Sequence, residues 1–384
     1  MIKPNPFTPQ SGWEPKSFQG RESQIKNFRK NISRALETKR PDHIIVLGEW
    51  GIGKTSLLRL LKKIAQQEGL LASLCPMPKF TDKDVTRDVV NLIIEEILKG
   101  FPVIKTKDKF IEEIEGFGIS IAGFGGQITR KRKSPSPQIL LTDILLKLWG
   151  HIDSKLAIIL IDDIHNFNSI PQVIDILRLV LSREEIILKT NYLFVLSSTQ
   201  RGWNHFIDKH DPIGRFFRRR ETIQPLSKKE TNKVIVETLK NSGVKFSKEI
   251  MQRIYYHTMG HPYELQVLCS NLYESQIKGV VSMRQWDIAL RTTLYDLGQD
   301  YFDSLLRKAS DREETILQLM CNIEEEMSIK DIQNSILKID KSYPVKDVRL
   351  YIYRLLDKGL IKLKDKKKYQ LIDNMFKEYL SEVM

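Results

Sequence analysis

The chain has 384 residues, with 61 Lys and Arg against 48 Asp and Glu, and 41% of its residues are hydrophobic. That length allows two or three domains, each with enough apolar material for its own core, and the composition excludes global disorder. The formal charge of +13 points toward an anionic partner such as nucleic acid, with simple solubility as the alternative.

No apolar stretch approaches the ~20 residues of a membrane span. The longest aliphatic run, Leu156 to Ile161, is only strand length. The opening Met1-Ile-Lys-Pro-Asn-Pro6 lacks an apolar signal region, so no secretory leader is expected. Cys75, Cys269 and Cys321 are too scattered for a disulfide framework or a zinc ribbon, which predicts a reduced, cytoplasmic setting and no membrane partner. Charge is uneven along the chain. Asp311 to Met384 is neutral, whereas basic clusters occupy the first forty residues, Arg130 to Lys133, and Arg218 to Arg220.

Residues 1–20, with four prolines, read as an extended arm. Ile25, Phe28 and Ile32 mark an amphipathic helix ending near Thr38. A buried strand at His43 to Leu47 leads through a glycine-rich turn to a helix at Ser56 to Gln67. A strand at Leu70 to Cys75 and a helix at Val85 to Leu98 follow. Such alternation predicts a mostly parallel sheet covered on both faces. Residues 104–137 interrupt it with five glycines among apolar residues, then the basic run and Ser134-Pro-Ser-Pro137. The stretch reads as a loop insertion, either carrying partner contacts or serving only as a linker. Regular elements resume as a helix (Leu140 to Ile152), a strand (Leu156 to Ile161), a helix (Val173 to Leu181), and strands at Tyr192 to Leu196 and Thr222 to Gln224. Lys228 to about Ile277 is mostly helical, broken at Gly260-His-Pro262. From Asp311, helices ending near Lys358 lead to a hairpin of Leu360 to Lys364 and Lys368 to Asp373, the plan of a winged helix.

Gly48-Glu-Trp-Gly51-Ile52-Gly53-Lys54-Thr55 fits the phosphate-loop pattern G-x-x-x-x-G-K-[ST], and Ser56 opens the helix behind it. Glycines let backbone N–H groups turn toward phosphate oxygens, Lys54 neutralises the β- and γ-phosphates, and the Thr55 hydroxyl ligates Mg²⁺. The cofactors expected are therefore ATP and Mg²⁺. Leu156-Ala-Ile-Ile-Leu-Ile-Asp162-Asp163 is an apolar strand ending in paired acids, the Walker B arrangement. Asp162 would hold Mg²⁺ through water, and Asp163 would orient the attacking water. His165, just beyond, reads as a surface or capping residue.

These elements, with the polar strand end Ser197-Ser198-Thr199, resemble the AAA+ ATPases and the related STAND signalling ATPases. Phe18-Gln-Gly20-Arg21-Glu22 is similar to the box that precedes their first helix near the adenine. Gly214-Arg215-Phe216 is similar to their Arg-Phe element, and Gly260-His261-Pro262 to the Gly-x-Pro element of STAND and archaeal-type members. The resemblance implies that Ser198 senses the γ-phosphate, that Arg215 (with Arg218, Arg219 and Arg220 close by) is a finger reaching a neighbouring subunit, and that Gly20, Arg21 and Pro262 contribute to nucleotide binding. Asp163 replaces a usual glutamate and is one methylene shorter, which points to slow turnover.

The expected fold is α/β: a P-loop NTPase core with a parallel sheet and helices on both faces (21–227, carrying the insertion), a helical lid (228–310), and a C-terminal winged-helix domain (311–384). ATP is expected between core and lid. The expected function is an ATP-hydrolysing switch whose nucleotide state controls homo-oligomerisation and binding to double-stranded DNA. Its rival is a scaffold that recruits a separate effector chain and binds no nucleic acid. Small-molecule phosphotransfer is disfavoured, since a winged domain would then be idle.

Overall fold

The computed structural model describes residues 3–10, 15–79, 85–101, 136–209, 213–323, 325–364 and 367–383. Most of the expected insertion, including Arg130 to Lys133, lies outside them. The chain divides into two compact units, Arg21–Gln224 and a second made of Met1–Gly20 with Pro225–Met384. Among the described residues no helix is long and apolar enough to cross a membrane.

In the first unit, β1 (Ile44–Leu47), β2 (Leu71–Pro76), β3 (Ala157–Asp162), β4 (Tyr192–Ser198) and β5 (Arg219–Thr222) form one sheet in the order β2-β3-β4-β1-β5. Every neighbouring pair is parallel. β1, β3 and β4 are buried along their whole length, as near-continuous Ile, Leu and Val runs require. Ile45, Leu47, Ile159, Ile161, Phe194 and Leu196 join one apolar cluster with the helices Thr86–Gly100, Pro137–His151 and Pro171–Ser182. The alternate residues Ile44, Val46, Ile158, Leu160, Leu193 and Val195 are buried as well. The helix Lys54–Gln67 packs on β2, β3 and β4 with Leu57, Leu58 and Leu61 buried. Both faces of the sheet are therefore covered.

β5 occupies Arg219–Thr222 rather than the expected Thr222 to Gln224. It is an edge strand whose residues are mostly exposed, and its basic sequence carries none of the apolar alternation by which strands are read. Its place is set by pairing: Ile44 to Leu47 lie opposite Arg219 to Thr222. The order of the sheet matters for the site, because β4 lies between β1 and β3 and brings the end of Ser197-Ser198 between the phosphate loop and the paired acids.

In the second unit, the N-terminal arm is tied down. Phe7 is buried and stacks on Phe246, Asn5 Nδ2 donates to Glu274 Oε1 at 2.7 Å, and the Tyr273 hydroxyl donates to the Lys3 carbonyl. The helices Lys228–Leu239, Lys248–Thr258, Pro262–Ser275 and Met283–Leu297 are followed by Asp311–Cys321, Ile329–Ile339 and Val348–Lys358. A three-stranded antiparallel sheet, β6 (Met327–Ser328), β8 (Lys368–Leu371) and β7 (Ile361–Lys364), packs with the last three, and the helix Asn374–Val383 closes the chain. One apolar cluster runs from Phe7 through Leu268 and Trp286 to Leu380. The segments expected as lid and winged domain thus share a core, joined where Phe302 meets the rings of Phe376 and Tyr379 at 5.2 and 5.3 Å.

Gly260 explains its own identity. It has φ 77°, its carbonyl accepts from the Leu226 N–H at 2.9 Å, and a Cβ would fall 1.9 Å from the Leu226 carbonyl oxygen. Pro262 then takes the first position of its helix, where a missing N–H costs nothing, and His261 caps it.

Glu264, one turn into that helix, is 3% exposed. Burial, and then the negative charge of Asp373 beside it, push its carboxyl well above the usual range, while Lys362 opposes them and His261 Nδ1 lies 3.7 Å away. Asp373 is raised by burial too. A carboxyl whose folded-state value lies above its unfolded value adds stability below the unfolded value and loses that contribution as pH rises through the folded one. Glu264→Gln, which keeps the shape without the charge, is therefore expected to melt progressively higher than the wild type as pH rises from 5 to 9. Thermal unfolding followed across that range tests this, and parallel curves would show that Glu264 binds its proton no more tightly in the folded chain than in the unfolded one.

Candidate functional site

The phosphate loop leaves β1 at Gly48, whose N–H donates to the Ser198 carbonyl at 3.2 Å. A Cβ on Gly48 would lie 2.7 Å from the buried Ile52 side chain, so the two residues close the base of the loop together. Gly51 and Gly53 have φ of 71° and 95°, the left-handed region that lets successive N–H groups turn inward. Gly53 is also the N-cap of the helix Lys54–Gln67, so the positive end of that helix faces into the loop, with Thr55 and Ser56 in its first turn. Lys54 is 7% exposed and its Nζ donates to the Glu49 carbonyl at 3.0 Å. Burial holds its ammonium below the usual lysine range, opposed by the charges of Asp163, Asp162 and Glu49. Arg21 is buried, and its Nη2 donates to the Ile52 carbonyl at 3.0 Å, bracing the loop backbone from the first helix.

Opposite the loop stand the paired acids. Thr55 Oγ1 donates to Asp162 Oδ2 at 2.6 Å, and the Ser197 hydroxyl donates to Asp162 Oδ1. Ser197 Oγ in turn accepts the Asp163 N–H at 2.9 Å. Asp163 sits at φ 53°, an uncommon conformation for a non-glycine residue, so the chain turns sharply and the two acids diverge. Burial first, and then the charge of Asp162, raise its carboxyl to about 6.

Ser197 joins the site as a residue that the sequence analysis does not single out. Adjacent residues on a strand point to opposite faces, and it is Ser197 that reaches Asp162. Ser198 is fully buried and its hydroxyl has no partner among the described residues. Arg215 ends the short 3-10 helix Ile213–Arg215 and is exposed, flanked by the buried Ile213 and Phe217. Gly20 and Pro262 belong to the other unit. Gly20 has φ 73°, and a Cβ there would lie 2.8 Å from the Leu226 side chain, which accounts for the glycine by packing. Among the described residues His165 makes no capping bond; it lies in the 3-10 helix Ile164–Ser169, where Asp163 holds the N-cap position.

Among the described residues no group of three or more His, Cys, Asp or Glu could hold a metal by itself. Thr55 and Asp162 supply two hard oxygens. That partial shell suits Mg²⁺ arriving with nucleotide phosphates, since the ion keeps several waters and few protein ligands.

A glycine-turned loop between a buried parallel strand and a helix, facing paired acids, defines a P-loop NTPase. The chain belongs to the KAP family: the pattern of the KAP family P-loop domain matches residues 21–254. Among solved structures, the chain is similar to a Walker-type ATPase of Pyrococcus abyssi, with a TM-score of 0.64 at 15% identity over 96% of this chain and 97% of that one. It is similar to the ORC2 protein of Aeropyrum pernix in its ADPNP–ADP complexes (TM-score 0.65, 14% identity, 97% and 96% covered). The ORC1 protein of Aeropyrum pernix, solved in complex with DNA, matches with a TM-score of 0.50 at 14% identity over 98% and 95%. Identities of this size establish a shared fold. Curated protein sequences give no match.

Proposed function

We propose that the protein is an ATP-binding and ATP-hydrolysing switch of the AAA+/STAND kind, whose nucleotide state governs self-assembly and, through a C-terminal winged helix, binding to double-stranded DNA. The observation that carries the nucleotide half is the 2.6 Å bond between Thr55 and Asp162 beside the buried Lys54. It supports the reading by bringing a hydroxyl and a carboxylate together in the loop that carries this cation. Lys54 faces the β- and γ-phosphates, Thr55 and Asp162 hold Mg²⁺, and Asp163 orients the attacking water.

The DNA half is supported by the helices Asp311–Cys321, Ile329–Ile339 and Val348–Lys358 with the β7–β8 hairpin, the order of a winged helix. Lys346, Arg349 and Arg354 are exposed on or beside the third helix, and Lys364, Lys367 and Lys368 on the hairpin. The protein-partner reading has its own support: Leu350 and Tyr353 on that helix, and Leu363 on the hairpin, are exposed at 47%, 52% and 55%.

Light scattering after size exclusion, with and without ATP·Mg²⁺ and duplex DNA, tests both halves. ATP-dependent assembly and a DNA-bound species are expected. Lys367→Ala with Lys368→Ala is expected to weaken duplex binding irrespective of sequence and to flatten the log–log salt slope by about 0.9 for each phosphate no longer neutralised. A wild type that binds no duplex at ~50 mM salt with ATP present favours the protein partner.

A further inference from the structure

His165 is a titratable side chain facing the paired acids that the mechanism above leaves unused. Its Nδ1 is buried, has no hydrogen-bond partner among the described residues, and lies 3.9 Å from Asp163 Oδ1. That separation is too long for a direct hydrogen bond. The 3-10 helix that carries the ring is held at two points. Asn166 Nδ2 donates to the Met77 carbonyl at 2.7 Å, tying the 3-10 helix to the exit of β2, and Asn168 Nδ2 donates to the Gly202 carbonyl at 3.2 Å. Gly202 is itself required, since a Cβ there would stand 2.3 Å from His165 Cβ and 2.8 Å from Thr199 Oγ1.

We propose that Asp163 and His165 together hold the water that attacks the γ-phosphate, His165 through Nδ1 and Asp163 through Oδ1. This rests on the ATPase reading above. Burial, and then the nearby Lys54 charge, hold the imidazole down to about 4, so the ring is neutral at working pH. A neutral ring protonated on Nε2 offers Nδ1 as an acceptor. Each water proton is then taken by one acceptor, and the oxygen lone pair is left to face phosphorus. The water oxygen forms its bond to Pγ, and the bond from Pγ to the bridging oxygen breaks with its electron pair leaving on ADP. The displaced water proton passes to Asp163. A carboxylate shorter than glutamate reaches less far, and a second acceptor restores the orientation that one short side chain gives poorly.

The test uses the full chain and measures nucleotide binding and phosphate release separately. His165→Ala is expected to lower kcat by about 10²-fold while affinity for a non-hydrolysable ATP analogue changes by less than about threefold. Added imidazole is expected to recover part of the rate, which a merely structural role would not permit. His165→Gln, whose amide oxygen also accepts a proton, is expected to retain more activity than His165→Ala. Gly202→Ala, which displaces the ring without altering it, is expected to lose rate like His165→Ala, with thermal unfolding confirming that each variant folds. Hydrolysis by the wild type with an unchanged rate in His165→Ala would overturn this inference alone. Loss of rate with equal loss of nucleotide affinity and no response to imidazole would overturn it as well. A wild type that binds ATP without hydrolysing it, or binds none, would remove the ATPase reading and this inference with it.

Discussion

Lys54→Ala is expected to abolish measurable ATP binding while leaving the fold intact. The ammonium is almost wholly buried, and that burial pushes it below the usual lysine range, so the site bears the cost of keeping a charge there. Such a cost is retained where the charge meets an anion. Hydrogen bonds to charged groups contribute about 1.5–3 kcal/mol each, so removing the bonds to two phosphates amounts to roughly 3–6 kcal/mol, a hundredfold or more in Kd. The only bond Lys54 Nζ makes within the described residues is to the Glu49 carbonyl, at a loop that water reaches. Thermal stability without nucleotide should therefore change little. Calorimetry with ATP·Mg²⁺ decides the matter: undiminished affinity in Lys54→Ala would mean that the loop does not hold phosphate.

The phosphate loop could be read from sequence because its geometry dictates residue type. Left-handed backbone at Gly51 and Gly53 admits few alternatives to glycine, and the spacing to Lys54 and Thr55 follows from where the helix begins. The parallel sheet was legible for a related reason, since strands buried on both faces are written in Ile, Leu and Val. What escaped depends on contacts between distant segments. Whether Ser197 or Ser198 turns toward Asp162 is a matter of strand register, to which two adjacent serines give no clue. β5 is recruited by pairing with β1 and has no apolar pattern of its own. His165 reads as a surface or capping residue because Gly202, which stands against its Cβ, is brought near only by the fold. The core shared by the helices after Pro225 and the C-terminal segment turns on which faces of Phe302, Phe376 and Tyr379 meet, and helical periodicity names faces without naming their partners.

Arg215→Ala is expected to preserve ATP affinity and to reduce hydrolysis by about 10³-fold, the scale on which arginine fingers act in P-loop enzymes. The side chain is suited to acting on something outside its own chain. It ends a single 3-10 turn closed by the Phe216 N–H donating to the Ile213 carbonyl at 3.1 Å, with the buried Ile213 and Phe217 anchoring the turn on either side. The backbone is thus fixed while the guanidinium is presented at the surface. Among the described residues Lys54 is a buried cation beside the paired acids, and charge that develops on the γ-phosphate during transfer calls for more. A neighbour's Arg215 would supply it, which makes turnover per subunit rise with protein concentration as shared sites assemble. The mixing experiment separates a donated arginine from a structural one. Lys54→Ala chains cannot hold ATP but still carry Arg215, and Arg215→Ala chains hold ATP but lack the finger. Combined, they should recover part of the rate that each lacks alone, through sites formed by an intact loop and a borrowed arginine. Turnover that does not depend on concentration, together with no recovery in the mixture, would assign Arg215 to a surface turn and leave hydrolysis to the single chain.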